Sequence, residues 1–218
     1  MIEEKKQMKE YIKIETPFER DTEGSKKLIE GRWRNETVEY LRNAWWVFTE
    51  KIDGTNISIV WDGHKVEFHG RTERAQIPSH LVNKLNELFG GEVNEELFEQ
   101  TFGETPMILY GEGYGVKIQN GGLYRDDVDF ILFDVYQPDN DIWLKREAVE
   151  NIAKTFGIDV VPIILEGDID RAIDFVKQKP MSTIGHAPME GLVGRPEVEL
   201  KDRCGKRVIV KIKVKDFV

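Results

Sequence analysis

The segment spanning residues 44–70 leaves this chain little freedom in how it can fold. An apolar run at 44–48 leads into Thr49-Glu50-Lys51-Ile52-Asp53-Gly54-Thr55-Asn56, and a second apolar run follows at 57–61. Two alternating segments, 57–61 and 64–70, then meet at Asp62-Gly63. Alternation on both sides of Asp-Gly is a strong hairpin signal, and a hairpin pairs its strands antiparallel. Further strands are expected at 107–110, 129–136, 159–165, 189–193 and 208–214. Helices are expected after Pro78-Ser79, with Leu81, Leu85 and Leu88 on one face and Gly90-Gly91 as the stop, and after Asn94 as a cap, carrying Leu97 and Phe98. Two more fall at 146–156, stopped by Gly157, and at 168–178, with Ile169, Ala172, Ile173 and Val176 aligned. Residues 1–13 read as a short charged helix or a frayed arm, and 14–20 as an extended edge interrupted by Pro17. Gly24 and Gly31 mark loops, and Trp33, Trp45 and Trp46 are expected in the core. Strands come in groups with helices between them and no regular βαβ alternation, so the fold class is α+β, mostly antiparallel sheets flanked by helices. With no convincing linker, residues 1–218 are expected to form a single domain without an appended module.

Composition narrows the function. Of 218 residues, 40% are hydrophobic and 33% charged, ordinary for a soluble globular protein. A net charge of −9 argues against non-specific binding to nucleic acid but leaves room for a local basic track. Cys204 is the one cysteine, which excludes an internal disulfide and fits a reducing compartment. The first ten residues are too charged for a signal peptide, and no apolar run reaches membrane-spanning length. These features predict a soluble, intracellular (cytoplasmic) protein that does not engage membranes; a monomer is expected, though no residue pattern speaks to oligomeric state.

Lys51 sits where two strands meet. A lysine facing inward at such a junction loses water, which disfavours its ammonium, and the neutral amine is a nucleophile. Alone, Lys-x-Asp-Gly also describes a bend with a solvated lysine. The other candidates in chain order are Arg71, Glu112, Phe133, Glu190, Lys211 and Lys213. Lys211 and Lys213 are two apart and share one side of a strand, as solvated edge lysines also would. Glu112 stands between glycines, where backbone can bring a carboxylate close to a ligand. Glu190-Gly191 repeats that pattern, Phe133 lies in an apolar strand, and Arg71-Thr72 closes the hairpin.

As an ordered set these residues resemble the motifs of the covalent nucleotidyltransferases, the ATP-dependent ligases and mRNA capping enzymes. The match runs through Lys51-Ile52-Asp53-Gly54, Arg71-Thr72, Leu109-Tyr110-Gly111-Glu112, residues 130–135, Glu190-Gly191-Leu192-Val193 and Val210-Lys211-Ile212-Lys213. Within that superfamily the chain most resembles the RNA ligase 2 family, with Asn56 where DNA ligases and capping enzymes carry arginine; Asp53 agrees with the DNA-ligase form. The resemblance implies an ATP-grasp-like adenylation domain using ATP and Mg2+ or Mn2+. It implies that Lys51 becomes bonded to AMP, that Lys211 and Lys213 hold phosphates, and that Glu190 and Glu112 hold the metal, partly through water. Phe133 is then implied to stack on adenine, Glu50 and Ile52 to lie near the base, Glu112 to take the ribose hydroxyls, and Arg71 with Asn56 to hold phosphate or ribose. The implied partner is RNA, or another nicked nucleic acid, with 5′-phosphate and 3′-hydroxyl ends. Arg74, Lys117, Arg125, Arg195, Lys206 and Arg207 are candidate contacts to it. Sealing of DNA nicks, guanylyl transfer and an inert nucleotide-binding module are the competing readings.

Overall fold

Strand pairing dominates the structure, a computed structural model in which residues 10–72 and 74–217 are described. The chain opens with a ribbon, β1 (Phe18–Arg20) and β2 (Leu28–Trp33), followed by α1 (Glu36–Tyr40). Asn35 starts that helix, its side-chain oxygen accepting from the amides of Thr37 at 2.8 Å and Val38 at 3.2 Å. Next come β3 (Trp46–Lys51), β4 (Thr55–Trp61), β5 (Val66–His69), α2 (Ser79–Phe89) and α3 (Glu92–Phe102). The middle of the chain forms β6 (Met107–Gly115), β7 (Val128–Gln137), β8 (Ile142–Trp143), α4 (Arg146–Phe156) and β9 (Asp159–Val160). The last elements are β10 (Ile163–Gly167), α5 (Ile169–Lys177), β11 (Gly191–Pro196) and β12 (Val210–Lys213). These elements fall into two compact units, each with its own core. Among the described residues no helix is long and apolar enough to cross a membrane.

The first unit comprises residues 10–12 and 54–160. Its sheet runs β5-β4-β6-β7-β8, antiparallel throughout, with β9 added parallel to β7. Alternation along β4 sends Ile57, Ile59 and Trp61 into a core shared with Leu81, Leu85 and Phe89 of α2 and Phe156 of α4. Each such side chain contributes about 1.5–3 kcal/mol on burial. Glycine lets β6 pass close beneath that layer: a Cβ at Gly111 would lie 2.2 Å from the Phe130 ring, and one at Gly113 2.4 Å from Leu81. The β6–β7 register shifts between Tyr110↔Asp134 and Gly111↔Leu132, so Phe133 is the extra residue of a β-bulge. Leu132 and Val135 both face the helices across this bulge, and Phe133 and Asp134 both turn to the opposite face.

The second unit comprises residues 13–53 and 161–217. Its four-stranded antiparallel sheet has the order β10-β3-β11-β12. Trp46, Phe48, Leu192, Val210 and Ile212 line one face and pack with Ile169, Ala172, Ile173 and Val176 of α5. Asp168 caps α5 by accepting from the Arg171 amide at 2.8 Å.

Several expectations are corrected. The strand expected at 159–165 is broken at Val161-Pro162: its ends are β9 and β10, in different sheets. The strand expected to stop at Tyr110 continues through the glycines to Gly115. Asn94 does not cap α3 by accepting; it lies inside the helix and donates to the carbonyls of Gly90 at 2.8 Å and Glu87 at 3.4 Å, tying α3 to α2. Gly31 lies within β2 rather than in a loop, and Trp45 is exposed while Trp46 is fully buried. The expectation for residues 1–13 falls mostly outside the described residues; Glu10 to Lys13 are not helical.

Candidate active site

In the second unit β11 is flanked by β3 and β12, and Gly191 is paired with Lys51 on one side and Lys213 on the other. Residues directly opposite in a sheet share a face, so both lysines project from the face away from α5. One pleat further on, Val193 is paired with Thr49 and Lys211, and then Arg195 with Val47. That face therefore carries Lys51, Lys213, Lys211 and Arg195. A Cβ at Gly191 would lie 2.1 Å from the Ile212 carbonyl oxygen, so only glycine allows the strands to approach this closely.

Glu190 stands immediately before this pairing and binds both lysines. Lys51 Nζ donates to Glu190 Oε2 at 2.7 Å, and Lys213 Nζ donates to Glu190 Oε1. Side-chain exposures of 23% for Lys51, 15% for Glu190 and 19% for Lys213 leave the trio sheltered but reachable.

Glu50, one residue before Lys51, points to the other face and is 1% exposed. Its carboxylate accepts from Ser182 Oγ at 2.5 Å, Thr183 Oγ1 at 2.7 Å and the Thr183 amide at 3.0 Å. Ser182 and Thr183 belong to a turn closed by a bridge between Met181 and Pro188, and that turn leads directly to Glu190. Sequence reasoning missed both residues; a Ser-Thr pair in a polar loop carries no signal of its distant carboxylate. Ile52 is buried at the end of the same strand region.

In the first unit, the sheet face opposite the helices carries the remaining candidates. Asn56 of β4 is paired with Glu112 of β6, which is paired with Ile131 of β7, and Phe133 projects from the bulge beyond. Asn56 Oδ1 is buried with no hydrogen-bond partner among the described residues. A buried acceptor left unmatched costs about 1–3 kcal/mol, so water or a ligand has to supply its partner. A Cβ at Gly54 would lie 2.4 Å from the Gly113 carbonyl oxygen and 2.8 Å from Glu112 Cγ, so glycine lets the start of β4 pass against β6. Phe133 is half-buried, and Arg71 is exposed just beyond β5.

Two proposed nucleic-acid contacts are committed elsewhere. Arg207, with 3% of its side chain exposed, is gripped by Glu199 through Nε at 2.6 Å and Nη2 at 2.7 Å. Arg125 is held by Asp127, Asp129 and the Tyr114 hydroxyl, and the Asp127 hydrogen bond above all raises its guanidinium above the usual range. Arg74, Lys117 and Lys206 are exposed.

A metal finds no protein cage here: among the described residues no group of three or more His, Cys, Asp or Glu side chains converges. A single carboxylate such as Glu190 fits a magnesium-type ion that keeps most of its water and takes the rest of its oxygen ligands from phosphates.

Comparison with known proteins bears on the fold and the family. Solved structures of the Naegleria gruberi RNA ligase share the fold. A variant with ATP and Mn superimposes with a TM-score of 0.62 at 19% identity, covering 83% of this chain and 54% of that one. The complex with PPi gives 0.61 at 21% identity, covering 82% and 52%, and a variant with AMP and Mn gives 0.62 at 18% identity, covering 82% and 52%. The chain thus spans about half the length of the structures it matches. A search of curated proteins found no match. The sequence model of the RNA ligase family matches residues 44–213, which takes in Lys51, Arg71, Glu112, Phe133, Glu190, Lys211 and Lys213. On that match, the chain belongs to the RNA ligase family.

Proposed function

We propose that this chain is an ATP-dependent RNA ligase that works through a lysyl-AMP intermediate at Lys51. The observation that carries the reading is the Lys51–Glu190–Lys213 cluster at the ends of three adjacent strands, inside the family match. Lys51, released from Glu190 and deprotonated, attacks the α-phosphorus of ATP; a P–N bond forms as the P–O bond to pyrophosphate breaks. Negative charge spreads over the phosphate oxygens in that step, and fixed cations stabilise it where water would have to reorganise. Lys213 and Lys211 supply them from the same sheet face. Glu112 takes the ribose hydroxyls, Phe133 offers its ring to the adenine, Asn56 and Arg71 hold ribose or phosphate, and Ile52 lines the base. The AMP then passes to a 5′-phosphate end, breaking the P–N bond, and a 3′-hydroxyl displaces AMP to join the strands. A Mg2+ or Mn2+ ion near Glu190, with Glu112 reached through water, would neutralise phosphate charge.

Mass spectrometry of the intact protein tests the first step. Incubation with ATP and Mg2+ or Mn2+ is expected to add one AMP, and Lys51→Ala is expected to abolish the adduct. No adduct under either metal would refute the reading. Nicked duplexes with RNA or DNA on the 3′-hydroxyl side then test the substrate: faster sealing of the RNA end is expected.

A further inference from the structure

Tyr11 lies outside the family match at 44–213, yet it belongs to the first unit with the sheet that carries Phe133. It is 8% exposed. Its ring meets Phe133 edge-on at a centroid distance of 5.0 Å, Tyr110 at 5.0 Å and Trp143 at 5.6 Å, the last nearly perpendicular at 89°. Its hydroxyl donates to Asp134 Oδ2 at 2.7 Å, and Asp134 is 2% exposed. Phe133 and Asp134 are the two residues that the β7 bulge turns to one face, so Tyr11 touches both.

The bulge leaves Phe133 without the ladder partner that orders a strand side chain on both flanks. Something else must hold its ring. An edge-to-face neighbour does so directionally, because the positive ring edge is attracted to the negative face, about 0.5–1.5 kcal/mol beyond simple burial. Among the described ring contacts, Tyr11 is the aromatic neighbour of Phe133.

We infer that Tyr11 is a positioning residue for nucleotide binding: it fixes the Phe133 ring in the orientation that receives the adenine. The inference rests on the stacking role proposed above for Phe133. Tyr11 touches no nucleotide itself; it acts through the ring, and its buried hydrogen bond to Asp134 contributes to stability.

Calorimetry on the full chain separates the base from the phosphates. The probes are a non-reactive α,β-methylene ATP analogue and inorganic tripolyphosphate. Tyr11→Leu keeps apolar bulk and removes the aromatic ring; it is expected to weaken the nucleotide about 2–10-fold, the affinity equivalent of one aromatic pair, with tripolyphosphate unchanged. Tyr11→Phe keeps the ring and is expected to bind the nucleotide like the unmodified chain, even as the lost donor to Asp134 lowers its thermal midpoint. A role confined to stability would make nucleotide affinity follow the midpoint across both variants, which would overturn the inference. Combining Tyr11→Leu with Phe133→Leu is expected to weaken the nucleotide no more than Phe133→Leu alone. Additive losses, or a Tyr11→Leu variant that binds normally while Phe133→Leu does not, refute the role of Tyr11. Normal nucleotide binding by Phe133→Leu refutes the stacking role itself. If Tyr11→Leu does not accumulate, Tyr11→Met makes the same comparison.

Discussion

Lys51 and Lys213 share one carboxylate, and the consequence of removing either cation can be separated from its effect on folding. On the proposed mechanism, Lys213→Ala deletes a charge that stabilises the developing phosphate oxyanions. It is expected to slow AMP-adduct formation about 10²–10³-fold, the usual cost of one such donor. The urea midpoint should move little, because an ion pair still reached by solvent contributes about 0–1 kcal/mol. Glu50 should behave in the opposite way. Its buried carboxylate satisfies Ser182 and Thr183, so Glu50→Ala leaves those donors without an acceptor and is expected to cost about 2–4 kcal/mol in urea unfolding. The end of β3 at Lys51 was legible in the sequence because an apolar run followed by an Asp-Gly bend is a local pattern. The partners of Glu50 were not, since they lie 132 and 133 residues away and only folding brings them together.

Elements show the same division between local and distant causes. The helices α2, α4 and α5 were readable because their apolar spacing and their stops at Gly90 and Gly157 are written in consecutive residues. The bulge at Phe133 was not, because an extra residue in one strand is defined only against its partner. The continuation of β6 through Gly111 and Gly113 was also hidden: glycine weakens strands in isolation, and here it is required by the Phe130 and Leu81 side chains packed above it. Gly191 makes that logic testable. A methyl group there would collide with the Ile212 carbonyl and push β12 from β11, moving Lys213 relative to Lys51. Gly191→Ala is expected to cost about 1–3 kcal/mol of stability, as overpacking does, and to slow AMP-adduct formation at saturating ATP. Normal adduct kinetics in this variant would show that strand spacing at Gly191 does not set the lysine geometry.

For the whole molecule, the net charge of −9 is the property that bears most on the proposed RNA substrate. If RNA is the substrate, a chain this acidic repels it at long range, and binding would come from a few fixed cations at short range. The sheet face bearing Lys211, Lys213 and Arg195 sets three cations side by side on adjacent strands, and Arg125 and Arg207 lie in carboxylate pairs elsewhere in the fold. A site that neutralises about three phosphates of a single strand loses affinity with a log–log salt slope near −2, roughly 20-fold between about 50 and 200 mM salt. Sealing of RNA ends below saturation is therefore expected to fall about 20-fold over that range. AMP-adduct formation at saturating ATP, which needs no RNA, is expected to hold its rate. Arg195→Ala should make the slope shallower by about 0.7, the share of one phosphate contact, whereas Arg207→Ala should leave the slope alone and lower the urea midpoint. If Arg207→Ala flattened the slope and Arg195→Ala did not, the RNA would have to run over a surface other than this sheet face.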